Sequence, residues 1–535
     1  MKKYIIGLVT GLAMITSCAD KLDLEPANNI TDEQIKEILA SGNEAKIDII
    51  LGGIANNIML HINKTVENVM TSDPRKASLF GQNCMRNLAG NDVVFGSTTI
   101  GIFGSEIYSF SEDFTAARAD DNVCFWNFGW SGVTTANKLL NLLDDTTIGN
   151  NVKLKNYKAR ALVLRAYAYN YLIENYQDAY LQGGNGKLGL MLYDTYDPGQ
   201  PVKARASSED TYAFIKKDIS QAITLFNEAG IGYTEDVRDF DLGAAYFILA
   251  RVALCTGDYQ TVVSASDNVL GHYPNLISQA YYGGKNTGTE EDPIIFRPDS
   301  NAFLNNAKNP EVIYGFPKGE ANTTHNTWMN VFGRSYGGES EGFARIDNRL
   351  YEKIADNDFR KDAFAGSVNI GNYTYPVSGN VNTIPSYVNL KFAATHALGS
   401  DNKSEVGSTS CYYMRSSEIL LMKAEAQAQS GNETAAKATL NTLLAARTKA
   451  GTPTLTCDNY PSMNGLSALQ MVQLQTRIEL WGEGGREFYN NKRWNIPVDR
   501  NGSSNHVHVS LNSYPGMTLK IPQQEMLYNP LCVQN

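Results

Sequence analysis

The chain has 535 residues, 43% hydrophobic and 19% charged, with 46 Lys and Arg against 56 Asp and Glu for a net charge of −10. That acidic balance argues against nucleic acid as a partner, because such binding rests on many Lys and Arg contacts to phosphate. The length exceeds the about 100–200 residues of a typical domain, which leaves two subdomains or one large unit open.

The chain begins with Lys2 and Lys3, an apolar stretch from Tyr4 to Met14, and then Ile15-Thr16-Ser17-Cys18. Charge, a greasy segment and small residues before a cleavage point make a secretory signal peptide over residues 1–17. The run is shorter than the about 20 residues that span a bilayer. A cysteine just after small residues is the position that bacterial lipoprotein processing acylates, so Cys18 is the expected lipidation site. Cleavage there removes two lysines and takes the net charge from −10 to −12. Residues 18–30, polar and containing Pro26, read as a lipidated tether. No further apolar run of membrane-spanning length is expected, which would leave the lipid as the anchor.

From residue 31 the pattern is mainly α-helical. Thr31 with Gln34 forms a capping-box start. Leu162, Ala166, Tyr169, Ile173 and Tyr176 fall on one helix face, as do Leu242, Ala245, Leu249 and Val252, and such faces must be buried against neighbours. Leu249 to Leu270 breaks at Gly257-Asp258, and Lys423 to Leu444 breaks at Gly431-Asn432. In both, an alanine (Ala250, Ala424) stands seven residues before the glycine, where a small residue lets paired helices approach. These are degenerate tetratricopeptide-type units at irregular spacing. The expected organisation is a helical part with such repeats over 31–273, and a loop-rich part with a further C-terminal repeat over 274–535. Two stretches, 81–122 and 274–410, are rich in Gly, Asn, Ser and Thr and read as long insertions. The second holds short β-like runs at Val312-Ile313-Tyr314 and Tyr387-Val388-Asn389-Leu390. Six cysteines remain after Cys18 and none forms a CxxC, which argues against a zinc site and requires no disulfide.

Several segments in order resemble the SusD/RagB family of outer-membrane nutrient-binding lipoproteins. They are Cys18 with Leu22 to Pro26; Trp126, Trp130, Val133, Ala136 and Asn137; Ala161 to Tyr167; Arg415 to Ala426; Arg477 to Leu480 through Gly485-Arg486 to Lys492-Arg493-Trp494; and Ile521 to Met526 with Asn529-Pro530. The resemblance covers nearly the whole chain. It implies a tetratricopeptide-like helix-pair scaffold with long loops and few strands. It also implies a lipid-anchored protein on the exterior of the outer membrane. Such a protein captures an oligosaccharide, acts as a lid on a TonB-dependent outer-membrane transporter of the SusC type, needs no cofactor and catalyses nothing. Some branches take peptides instead.

Sugars present CH faces and a rim of hydroxyls, so they are held by flat aromatic surfaces with amides, acids or guanidinium groups at the edges. In the resembling family, ligand aromatics come from loops before the Ala-Asn helix and after a strand that here reads Glu311-Val312-Ile313-Tyr314. The loop after it carries Trp328, Phe332 and Tyr336 with Asn326, Asn330 and Arg334 between them. Trp328 and Tyr336 are the leading ligand-binding candidates, joined by Phe332, Asn330 and Arg334, and by Tyr281 and Tyr282 in a Gly-rich stretch. Trp328 and Phe332, four apart, equally suit one buried helix face. Trp126, Trp130, Trp481 and Trp494 lie in scaffold motifs and are expected in the core. Arg477, Glu479, Glu483 and Arg486 are expected to pair within the fold, at about 0–1 kcal/mol each if exposed.

Other patterns carry less. Gly333 to Gly337 fits G-x-S-x-G without the following helix that a hydrolase elbow needs. Gly184 to Gly189 fits G-x-G-x-x-G but follows a helix rather than a strand. His506 and His508 lack a third ligand. Asp120-Asp121 and Glu290-Glu291-Asp292 offer oxygens for a structural calcium or simply form solvated acidic turns. A glycoside hydrolase would need two carboxylates paired across a cleft, and no motif here pairs two.

Overall fold

The computed structural model describes residues 30–63, 78–94, 105–287, 294–295, 297, 299–317, 344–366, 370–374, 381–384, 386–393, 410–506 and 517–535. The signal segment, Cys18 and most of the tether lie outside them.

Helices α1 (Asp32–Ala40) and α2 (Glu44–Asn63) open the described chain. The Thr31 side chain caps Gln34 N and the Gln34 side chain caps Thr31 N, the reciprocal pair read from the sequence. By length and composition, Glu44–Ile62 is apolar enough to cross a membrane, which corrects the expectation of no such run. Its stripe of Ile47, Leu51, Ile54, Ile58 and Ile62 is buried, and the helix packs on α4 (Asp120–Leu142) and α5 (Val152–Tyr176).

Between them, α3 (Leu79–Leu88) stands where a loop was expected. Ser78 accepts from Gly81 N as its cap, and Leu79, Cys84, Met85 and Leu88 are buried. Its polar residues gave the loop-like composition, yet they too are inside. Gln82 donates to Cys124 O at 3.2 Å. The Arg86 guanidinium lies 4.5 Å from the Phe125 ring and 4.6 Å from that of Phe488.

The scaffold is a series of helices, each packed on the next: α4, α5, α6 (Ser208–Ala229), α7 (Leu242–Thr256) and α8 (Tyr259–His272). The predicted stripe on α5 is buried from Leu162 to Tyr176. Each such side chain contributes about 1.5–3 kcal/mol relative to exposure. Gly257 ends α7 at φ +76°, and the Asp258 side chain accepts from Thr261 N to start α8. The second unit repeats this device. Gly431 has φ +82°, and Asn432 accepts from Ala435 N between α9 (Ser416–Gln429) and α10 (Glu433–Arg447). Ala250 and Ala424 are both fully buried. The two units, far apart in sequence, are neighbours in space, because α8 packs directly on α9. Helix α11 (Ala468–Glu479) then packs on α9 and α10, and α12 (Arg486–Trp494) follows. The main hydrophobic core draws residues from Leu39 to Cys532, and a smaller cluster gathers Ala89, Phe488, Tyr489, Val498 and Met517.

Strands among the described residues form four antiparallel pairs: β1 (Val93–Val94) with β5 (Arg345–Ile346), β2 (Lys285–Asn286) with β3 (Ile294–Ile295), β4 (Val312–Phe316) with β8 (Cys411–Arg415), and β6 (Ile370–Thr374) with β7 (Val381–Ile384). The run at Val312 is thus a strand. The run at Tyr387 is not: Tyr387 has φ +65°, and only isolated bridges at Val388 and Asn389 tie it to its neighbours.

Candidate functional site

Helix α3 turns Phe80, Asn83, Cys84 and Asn87 toward one cavity of about 40 Å³. Their spacing of three, one and three is one helix face. Facing them are Cys411, Tyr412 and Tyr413 of β8, then Phe303, Phe392 and the turn Gly482-Glu483-Gly484. Five of the twelve lining residues are aromatic, and the Asn83 and Asn87 amides stand on the α3 side. Asn87 Nδ2 donates to Gly482 O at 3.0 Å and fixes the turn against α3. The Asn83 amide is half-buried and takes part in no side-chain hydrogen bond among the described residues. The Tyr412 hydroxyl is buried beside Ser410 without a well-formed hydrogen bond, and burial raises its pKa.

Glu483 joins this cavity to a buried ionic cluster. Its Oε1 accepts from Lys391 Nζ at 2.5 Å and Arg415 Nη2 at 2.8 Å, and its Oε2 from Arg415 Nε at 2.6 Å. Glu479 at the end of α11 accepts from Arg447 Nη2 and Arg415 Nη1, both 2.8 Å, and from Arg447 Nε and Arg360 Nη1, both 3.0 Å. Glu311, one residue before β4, accepts from Arg415 and Arg447 at 2.7 Å each. Asp358 binds Arg360 at 2.5 Å. Four cations, Arg360, Lys391, Arg415 and Arg447, thus meet four carboxylates, Asp358, Glu311, Glu479 and Glu483. Burial works to raise the Glu479 carboxyl, but Arg447, Arg415 and Arg360 around it hold it well below the ordinary carboxylate range. Burial, helped by the neighbouring Arg415 charge, pushes the Lys391 ammonium down to about 8, against the pull of Glu483 and Glu479. Glu479 and Glu483 thus pair within the fold, as the sequence suggests, and Glu479 is completely buried. Arg477 binds Asp92 at 2.5 Å, while Arg486 lies over the Tyr489 ring at 4.5 Å.

The predicted ligand residues Trp328, Asn330, Phe332, Arg334 and Tyr336 lie outside the described residues, as does the G-x-S-x-G stretch. Tyr281 is 37% exposed, with Lys308 Nζ 5.4 Å from its ring. Tyr282 is 5% exposed and packs edge-on to Phe303 and Phe359 under Arg447, so its ring belongs to the core rather than to a ligand surface. The α3 face was missed in the sequence because residues 81–122 were read as loop. The spacing of Phe80, Asn83, Cys84 and Asn87 was the available signal.

Of the scaffold tryptophans, Trp126 and Trp481 are buried as expected, while Trp130 and Trp494 are half-buried. Trp481 is buried and donates to Asp92 O at 2.8 Å. Trp126 meets Tyr176 at 4.7 Å, Trp130 meets Tyr169 at 5.9 Å, and Trp494 donates to Glu425 at 2.7 Å. The Ala-Asn and Leu-Arg-Ala motifs meet each other. Asn137 Oδ1 accepts from Arg165 Nη1 at 2.9 Å, and Arg165 binds both oxygens of Asp218 at 2.7 and 2.8 Å. Gly184 and Gly189 serve close packing: a Cβ would come within 2.2 Å of Asp178 O at the first and 2.1 Å of Thr211 Oγ1 at the second. The six cysteines after Cys18 are buried free thiols. His506 Nε2 lies 2.8 Å from Asn91 O and 3.1 Å from Asp347, while His508 lies outside the described residues. Asp120 and Asp121 occupy the first turn of α4, where carboxylates favour the helix dipole; Glu290, Glu291 and Asp292 are not among the described residues. No group of three or more His, Cys, Asp or Glu among the described residues is placed to hold a metal ion.

Residues 276–535 match the family model described as SusD family, and residues 53–254 match one described as starch-binding associating with outer membrane. Among curated proteins, none matches the chain. A SusD-like carbohydrate binding protein from Bacteroides vulgatus has a similar structure at 19% identity, covering 90% of this chain and 96% of that one with a TM-score of 0.67. A SusD superfamily protein from Bacteroides thetaiotaomicron is similar at 18% identity, over 91% and 99% of the two chains, with a TM-score of 0.68. Surface glycan-binding protein A from Bacteroides uniformis is similar at 18% identity, over 91% and 99%, with a TM-score of 0.59. At these identities the likeness is one of fold. With the two family models matched in order over residues 53–254 and 276–535, the chain belongs to the SusD/RagB family.

Proposed function

We propose that this protein is a cell-surface glycan-binding lipoprotein, anchored in the outer membrane through Cys18, that captures oligosaccharide and hands it to a TonB-dependent transporter as a lid-like subunit. The observation that carries this reading is the aromatic cavity with an amide edge between α3 and β8. Aromatic faces with hydrogen-bonding groups at the rim suit a neutral sugar. Strand β4 pairs with β8, so the chain leaves this sheet at Phe316 just before the segment that carries Trp328 and Tyr336. The family models and the glycan-binding relatives support the same ligand class. The protein acts by binding and not by catalysis.

The test is a glycan array with the soluble chain from residue 19, followed by calorimetry. Binding without cleavage is expected. Trp328→Ala should weaken binding at least tenfold, as expected for a central aromatic anchor, and leave thermal unfolding nearly unchanged. A large fall in melting temperature would put Trp328 in the core and remove it from the site. Release of sugar products would replace this reading with a hydrolase, and retention of peptides with no sugar would replace it with the peptide-binding version. Recovery of the lipidated chain from outer membranes without a transporter of this class would remove the lid role.

A further inference from the structure

The cavity between α3 and β8 is too small for a sugar ring and well sized for a substituent. Its about 40 Å³ holds about three water-sized groups. A pyranose exceeds that several times over. A hydroxymethyl arm would leave part of it empty and set its hydroxyl among Phe80, Phe303 and Phe392. The group that matches is short and flat, with a methyl at one end and an amide at the other. The aromatic side chains take the methyl, and two lining residues have polar groups without a well-formed hydrogen bond, the half-buried Asn83 amide and the buried Tyr412 hydroxyl beside Ser410. Each can both donate and accept. A charged substituent is disfavoured. Glu483 is the only ionisable acid on the wall, both its oxygens are taken by Arg415 and Lys391, and these two cations are in turn satisfied by buried carboxylates and carbonyls. Among the described lining residues no unpaired charge of either sign is left to face a ligand ion.

We propose that this cavity seats the acetamido group of an N-acetylated amino sugar, so that the captured glycan contains N-acetylhexosamine. The proposal rests on the glycan-binding reading above. The sugar ring then lies outside the cavity, and Asn83 and Tyr412 bond the amide N–H and carbonyl.

The soluble chain from residue 19 is applied to an array of oligosaccharides in matched pairs that differ only in N-acetyl against hydroxyl at one sugar. The best pair is then titrated by calorimetry. The N-acetyl member should bind about tenfold or more tightly, from one buried methyl and one added hydrogen bond. Asn83→Ala should erase most of that preference by weakening the N-acetyl member far more than the hydroxyl member, with an unchanged melting temperature as the check on folding. Tyr412→Phe, which removes a hydroxyl and keeps the ring, should reduce the preference as a second, less invasive variant. Equal binding of both members, or a preference that survives both substitutions, overturns the acetamido assignment while glycan binding stands. Binding to no glycan overturns the functional reading and this inference with it.

Discussion

Substituting Glu479 by Gln tests whether the buried cluster holds the late helices to the strand-bearing insertion. The side chain accepts four charge-assisted bonds from Arg360, Arg415 and Arg447, two on each oxygen, at 2.8–3.0 Å. Gln keeps one acceptor oxygen and turns an NH2 toward two guanidinium donors. It also leaves four cations against three carboxylates, of which only Glu483 is partly exposed. Removing one partner of a buried pair costs about 3–5 kcal/mol, mostly because the remaining charge is stranded. Against a typical stability of about 5–15 kcal/mol, that is a large share. The decisive comparison is the pair with Arg447→Met, which restores the charge balance. The double variant should be less destabilised than the sum of the singles by about 2 kcal/mol or more, because contacting members of one network do not add. Urea denaturation followed by circular dichroism on the four proteins gives the cycle. A loss below about 1 kcal/mol for Glu479→Gln, or additive singles, would refute the argument that these charges are held by one another.

Two further expectations follow from single residues. Arg165→Lys keeps the charge but loses the fork that binds Asp218 on two oxygens while reaching Asn137 and the Asp194 carbonyl; a loss of about 2–4 kcal/mol in the same urea assay is expected, and a change within about 0.5 kcal/mol would mean that the motif is not held by that fork. Burial raises the Asp241 carboxyl to about 6, so its contribution to stability is present below the ordinary carboxyl value and is lost as pH rises through 6; moving from about pH 4.5 to 7.5 should cost wild type about 2 kcal/mol more than Asp241→Asn, and equal pH dependence in the two proteins would refute this.

What the sequence shows clearly is the chemistry settled within a few residues. The Thr31 cap, the Gly257-Asp258 and Gly431-Asn432 breaks, and the stripe from Leu162 to Tyr176 each obey a local rule, and each is found where the spacing put it. The errors come where distant partners override composition. Helix α3 looks like loop because Gln82, Arg86 and Asn87 are polar, and only Tyr171, Asn175 and Gly482 from elsewhere make their burial affordable. The run at Tyr387 has strand-like residues, but its N–H is taken by Gly366 O and its φ is positive. Glu479 has a helical neighbourhood that says nothing of Arg360, Arg415 or Arg447. The main ligand candidates were placed by resemblance rather than by any local rule, and of them only Tyr281 and Tyr282 can be located among the described residues.

The position of the ionic cluster explains how the scaffold carries so much variable chain. Residues 273–415 lie between α8 and α9, yet these helices pack on each other as though the insertion were absent. Closing an insertion of that length costs little extra chain entropy, and what sets its course is how its ends are fixed. They are fixed by charge: Glu311 enters β4 and binds Arg447 of α10, Arg415 leaves β8 and binds Glu479 of α11, the two bind each other, and Arg447 binds Glu479. Lys391 and Arg360 add two more points along the same segment. The chain between these points is free to change without loading the helical core, which is the condition under which loops on a rigid scaffold take on binding. Exchanging 318–343 for a foreign loop of equal length should therefore alter ligand choice and leave the urea midpoint in place, whereas any change to Glu311 or Arg415 should do the reverse.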